Sequence, residues 1–204
     1  MLDTIKGLHL ELTNICTLKC PRCSRTTFLE TFKNKNWINK QINLQDLQNF
    51  IDIDIHGKLF NLCGNDGDPI YYDQLFELVR WVKSNNGLIQ ISTNGSYKTQ
   101  DWWSELAGLL TADDKIIFAI DGMPNNFTQY RINADWESML VGIETMVASE
   151  AKVEWQYIPF SYNIDSIEPA RQLSQELGFD FFNVLYSLLT LIKLSAWYSF
   201  IADR

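Results

Sequence analysis

The chain has 204 residues, 46% of them hydrophobic, 13% aromatic and 21% charged, the composition of a folded globular protein and not of a disordered or fibrous one. Lys and Arg number 17 against 25 Asp and Glu, and the net charge of -8 excludes a protein that coats nucleic acid through a broad positive field. The length suits one domain, and Met1 to Lys6 lack the basic and apolar pattern of a secretory leader, so the sequence reads as cytoplasmic.

Strand-like and helix-like runs alternate along the chain. Strands rich in branched and aromatic residues are expected at Leu8 to Thr13, Lys58 to Gly64, Leu88 to Thr93, Lys115 to Asp121, Lys152 to Phe160 and Phe179 to Tyr186. Between them, Leu44 to Ile55, Tyr72 to Ser84, Asp101 to Leu110, Ala134 to Ala148 and Ser166 to Leu177 carry apolar residues at helical spacing, as in Leu75, Leu78, Val79 and Val82. Asn43 stands where a helix cap belongs, and Gly87 and Gly178 stand where helices end. Alternating strands and helices imply parallel pairing with right-handed crossovers. The expected fold is α/β, an open partial (β/α)6 barrel with helices outside, over residues 1-186. In such folds the chemistry sits in loops at the C-terminal ends of the strands. In the first strand, Leu8, Leu10 and Leu12 face one way and His9, Glu11 and Thr13 the other, so a polar face is expected to line the cavity. His9 reads as barrel lining and His56 as a loop residue, because neither has a sequence partner for a catalytic triad.

The four cysteines are Cys16, Cys20, Cys23 and Cys63, three of them within eight residues directly after the first strand. A tight cluster in a cytosolic chain points to metal binding or redox chemistry, not to a disulfide scaffold. Three thiolates can hold three corners of a cubane iron-sulfur cluster and leave one iron open for a substrate or cofactor. The alternative is a zinc site in which Cys63 swings across from the second strand as fourth ligand.

The stretch ELTNICTLKCPRCSR resembles the radical S-adenosylmethionine (SAM) superfamily, whose members carry CxxxCxxC after the first strand of a partial (β/α)6 barrel. It is nearest the branch whose members often add a C-terminal cysteine-rich SPASM domain and modify peptides or proteins. No cysteine follows Cys63, so auxiliary clusters of that kind are not expected, and Arg22 stands where the family commonly has an aromatic residue. The resemblance implies a [4Fe-4S] cluster on Cys16, Cys20 and Cys23, SAM as cofactor, an electron donor such as a flavodoxin or ferredoxin, and a possible peptide or protein substrate. The alternative function is a non-catalytic iron-sulfur or zinc-binding interaction module on a degenerate barrel.

The remaining strand ends supply candidate SAM contacts. Gly67-Asp68-Pro69 falls where the family has its GEP motif, which holds the SAM amino group, and the shorter Asp68 shifts the expectation from carboxylate to backbone. Thr93 and Asn94 end the third strand and offer hydrogen bonds to cofactor or substrate. Asp121 ends the fourth and is expected to accept from ribose hydroxyls. On the fifth strand Glu154, Gln156 and Asn163 reach a similar height, with Gln156 as the ribose or substrate contact. Asn-Gly and Asp-Gly pairs also cap ordinary turns, which is the structural alternative for Asn94 and Asp121. Ser24 to Ile42 lacks clear periodicity and reads as a functional loop or lid. Lys19, Arg22, Arg25, Lys33, Lys35 and Lys40 form a local positive field there, against the single acid Glu30, suited to a SAM carboxylate or an acidic electron donor. The apolar run Ser187 to Ala202, within the segment 187-204, carries Lys193 in its middle and reads as a last barrel helix or a truncated extension, not a membrane span.

Overall fold

A computed structural model of the chain describes residues 5–31 and 37–186. Its six strands, β1 (Gly7–Leu10), β2 (Leu59–Leu62), β3 (Leu88–Thr93), β4 (Lys115–Ala119), β5 (Lys152–Tyr157) and β6 (Phe181–Val184), pair in sequence order in one sheet. Every pairing is parallel, and β1 and β6 do not pair with each other, so the barrel is open. The helices are α1 (Ser24–Thr31), α2 (Leu44–Phe50), α3 (Leu75–Ser84), α4 (Gln100–Ala107), α5 (Trp136–Val147) and α6 (Ile167–Glu176).

Alternation along the strands divides the sheet. Phe60, Leu62, Ile89, Ile91, Ile116, Phe118, Val153 and Trp155 are buried in one core with Leu78 and Val79 of α3, Trp103 of α4 and Met139 and Ile143 of α5. The opposite face is polar: His9 aligns with Asn61, Asn61 with Gln90 and Gln90 with Lys115. Higher on that face Ala119 aligns with Gln156, and Gln156 with Asn183. Full burial of the helix-facing side chains supplies the main stabilisation, about 1.5–3 kcal/mol for each large apolar group.

Local signals account for the helix ends. Asn43 Oδ1 accepts from Gln45 N at 2.9 Å and Asp46 N at 3.2 Å, capping α2 as its position implies. Gly178, with φ of 86°, takes the left-handed conformation just beyond α6. After α3 that conformation belongs to Asn86, with φ of 56°, and not to Gly87, whose N–H returns to the Val82 carbonyl at 2.9 Å. Strand β3 spans the expected residues, whereas the other strands stop short because their last residues turn toward the loops that build the site.

Two expectations need correction. The stretch from Ser24 is not a uniform loop: Ser24–Thr31 is helical although it lacks an apolar stripe, and Ile38 to Ile42 lies antiparallel to the start of the cysteine loop. There Ile42 N donates to the Leu12 carbonyl at 2.9 Å and Asn14 N to the Lys40 carbonyl at 3.1 Å. His9 is exposed and not a satisfied lining residue, because its strand is an edge of the open sheet. Lys33, Lys35 and the segment 187-204 lie outside the described residues. Among the described residues no helix is long and apolar enough to cross a membrane.

Candidate functional site

The loop after β1 carries Cys16, Cys20 and Cys23, all half-buried at the C-terminal edge of the sheet. Sulfur takes part in its internal order: Leu18 N donates to Cys16 Sγ at 3.4 Å, and Cys23 Sγ donates to the Asn65 carbonyl at 3.5 Å. Burial, then the nearby Asp68 carboxylate, push the Cys16 thiol up to about 12, so a metal that binds this sulfur must displace its proton to solvent. Burial also raises Cys20, against the opposing charge of Arg131. Among the described residues no three Cys, His, Asp or Glu side chains converge as a single metal ion requires. A four-iron cluster instead spreads its ligands over separate irons.

The loop after β2 packs on this one main chain to main chain. A Cβ on Gly67 would stand 2.0 Å from the Thr13 carbonyl oxygen, so glycine is the residue that permits the contact. Asp68 N donates to the Ile15 carbonyl at 2.9 Å. The Asp68 carboxylate is buried and already engaged: Oδ1 accepts from Ile70 N at 3.1 Å, and Oδ2 accepts from Asn94 N at 2.7 Å and from the Asn94 amide. It therefore caps the 3-10 turn Pro69–Tyr71 and ties β2 to β3. Asn94 joins three partners, since its Nδ2 also reaches Cys16 Sγ at 3.7 Å while Oδ1 accepts from Ser96 N at 3.0 Å. Thr93 is turned inward, its Oγ1 accepting from Gly95 N at 3.0 Å.

Asp121 is also committed. Its Oδ2 accepts from Arg131 Nε at 2.7 Å and its Oδ1 from Ile158 N at 2.8 Å. Its carbonyl accepts from Tyr162 Oη at 2.7 Å and Asn163 Nδ2 at 3.0 Å. Asn163 is fully buried in this bracket and not at the cavity wall. Gln156 and Glu154 do lie on the polar face, where Glu154 accepts from Lys115 Nζ at 3.1 Å and Asn183 Nδ2 at 3.3 Å. Cys63, at the top of β2, is half-buried; burial, then the Glu11 carboxylate, raise its pKa.

The structure thus gathers Cys16, Cys20, Cys23, Gly67, Asp68, Pro69 and Asn94 at one edge, with Asp121 and Gln156 on neighbouring strands. It also adds residues that the sequence reading passed over. Arg131 is placed beside Cys20 because the segment after β4 docks on the cysteine loop, where Lys19 N donates to the Ile132 carbonyl at 3.0 Å. Burial alone would lower the Arg131 pKa, but Asp121 and Cys20 outweigh it and hold the guanidinium charged. Tyr71 Oη bridges Thr17 Oγ1 at 3.1 Å and the Ser96 carbonyl at 2.7 Å. Arg25 belongs to the interior and not to the surface field assigned to it: it is 8% exposed, its Nη2 donates to the Leu18 carbonyl, and its Nε is buried without a partner.

No family model matches the chain. A curated protein of Pyrococcus furiosus, the tungsten-containing aldehyde ferredoxin oxidoreductase cofactor-modifying protein, is 28% identical over 120 residues, 59% of this chain and 32% of that protein. Streptococcus suis SuiB bound to S-adenosylmethionine superposes with a TM-score of 0.72 at 15% identity, covering 97% of this chain and 47% of that one. Methylornithine synthase (PylB) gives 0.65 at 13% identity over 89% of this chain and 53% of that one. This is the fold of the radical SAM core domain. The chain spans about a third of the length of its curated relative and about half that of these structures. SuiB has also been crystallised with its precursor peptide SuiA, and that structure superposes with a TM-score of 0.70 at 14% identity over 89% of this chain and 39% of that one.

The chemistry of the donor set in this loop fits an iron-sulfur cluster, which takes cysteine thiolates as its ligands. Three thiols are supplied by one loop, and a buried guanidinium Nε beside that loop has no partner among the described residues.

Proposed function

We propose that this chain is the core of a radical SAM enzyme, with Cys16, Cys20 and Cys23 as ligands of a [4Fe-4S] cluster. A cluster held there would supply, with an electron from a flavodoxin or ferredoxin, the reductive cleavage of S-adenosylmethionine that starts radical chemistry on a substrate. The observation that carries this reading is the cysteine loop at the C-terminal edge of an open parallel barrel, packed through Gly67 and Asn94 on the next two strand ends.

In this reading Gly67, Asp68 and Pro69 offer backbone carbonyls to the SAM ammonium, because the Asp68 carboxylate is occupied by Asn94 and Ile70. Asn94 orients Asp68 and Cys16 together. Asp121 holds Arg131 and the start of the β5 loop in place, and Gln156 faces the cavity from the polar side of the sheet. The peptide bound by SuiB supports a peptide or protein substrate here as well. A cytoplasm that keeps thiols reduced suits the loop.

The occupied Asp68 carboxylate also favours a second reading, an iron-sulfur interaction module that does not turn over SAM. Anaerobic reconstitution separates the two. About four irons per chain and dithionite-dependent formation of 5'-deoxyadenosine, both lost in Cys20→Ala, support the enzyme. A stable cluster that leaves SAM intact supports the module, and stoichiometric zinc without iron overturns both iron-based readings.

A further inference from the structure

Two guanidiniums lie against the cysteine loop, Arg25 buried and Arg131 partly so, and they differ in their counter-charges. Arg131 is paired with Asp121 at 2.7 Å. Arg25 has no carboxylate partner among the ion pairs of the described residues. Its recorded acceptor is the neutral Leu18 carbonyl, between Cys16 and Cys20 in the loop, while its Nε is left buried and unbonded. Leu18 N in turn donates to Cys16 Sγ at 3.4 Å, so one residue connects the guanidinium to a ligating sulfur. A buried cation without an anion costs several kcal/mol, and a buried donor without an acceptor adds to that cost.

The occupant proposed above supplies the missing counter-charge. A four-iron core held by three thiolates is anionic, because the thiolates outnumber its positive charge, and it gains one further negative charge on taking one electron from the donor. Resting on that reading, we propose that Arg25 is a positioning residue that matches the cysteine loop to this anion. Its charge is the missing counter-ion, delivered through the Leu18 link to Cys16, and it raises the reduction potential of the bound group. Hydrogen bonds to sulfur and net local charge are recognised determinants of cluster potential.

The test uses the full chain, iron-free and anaerobically reconstituted, with Arg25→Gln, Arg25→Lys and the exposed control Lys152→Gln at the opposite edge of the sheet. Potentiometric titration followed by electron paramagnetic resonance without SAM reads the cluster directly. The reduced-to-oxidised ratio at a fixed potential is expected to fall about tenfold in Arg25→Gln, a shift of about 59 mV for a one-electron couple, to fall less in Arg25→Lys and to hold in Lys152→Gln. Thermal melts supply a second readout that a merely structural arginine would not produce. Without iron, Arg25→Gln should melt at or above wild type, since an unpaired buried cation is gone, and with iron it should melt below wild type. An unchanged potential in an iron-replete Arg25→Gln overturns the inference. So does an equal shift in Lys152→Gln, or an equal loss of melting temperature with and without iron. Failure of the wild-type chain to take up iron would instead overturn the cluster reading itself.

Discussion

Strand β4 is flanked by two fully buried aspartates, and they put one device to two uses. Asp114, just before the strand, accepts from Ile89 N at 2.7 Å, Thr111 N at 2.8 Å and Lys83 Nζ at 2.6 Å. Asp121, just after it, accepts from Ile158 N and Arg131 Nε. Both carboxylates collect backbone amides that a parallel sheet leaves unsatisfied at its ends. At the N-terminal edge the cation is a lysine, a point charge whose stem leads its ammonium toward water. At the C-terminal edge it is a planar guanidinium with donors to spare beside the Cys20 thiol. The difference shows that stability alone explains the first pair, whereas the second also sets the electrostatic surroundings of the thiols.

The largest effects expected are on these aspartates. Asp114→Ala and Asp121→Ala should each lose about 3–5 kcal/mol in urea unfolding, the first because the Ile89 and Thr111 amides lose their acceptor, the second because it strands Arg131. Iron retained per folded chain should fall only for Asp121→Ala, and an equal fall for both would erase the contrast. Next comes Gly67→Ala, whose Cβ meets the Thr13 oxygen at 2.0 Å. A loss of about 1–3 kcal/mol together with reduced iron uptake is expected by calorimetry and iron assay, and wild-type iron uptake would show that the loop contact does not position the thiols.

Tyr72 tests the opposite sign, because its buried hydroxyl has no partner among the described residues. Tyr72→Phe should be neutral or up to about 1 kcal/mol more stable. Burial, then Glu77 and Asp73, raise this phenol from 10.0 to about 12. Its neutral form is thus favoured in the fold, and its contribution is intact below pH 10 and lost as pH climbs toward 12. Alkaline unfolding should begin at higher pH in the Phe variant, and an unchanged onset would remove Tyr72 from the titration. The smallest effect belongs to Arg80 and Glu105, an ion pair at 2.5 Å whose side chains are 49% and 47% exposed. Arg80→Ala should change stability by less than about 1 kcal/mol, and a larger loss would show that surface charge matters far from the site.

The centres of all six strands and five helices were legible because each carries a period of two or of three to four apolar residues. Helix α1 was not, since SRTTFLET presents no stripe and its placement is tied to contacts such as Ser24 with the Asn65 carbonyl and Asp66. The cysteine spacing and the glycine at Gly67 were readable as motifs. The commitment of Asp68 and Asp121 to internal partners was not, because Asn94 and Ile158 come near them only across strands. Arg25 was counted with the exposed cations of its neighbourhood. Composition gives no sign that one of a run of basic residues turns inward, and Arg131 has no local pattern to set it apart.

The contact between Gly67 and Thr13 is made by main-chain atoms, and a main-chain contact is indifferent to the side chains around it. Residues 11–23 and 64–68 therefore behave as a single cassette. Transplanting the cysteine loop alone onto another parallel sheet would leave it without its backing surface, whereas moving both segments together would carry the complementary shapes with them, whatever side chains decorate the rest of either loop.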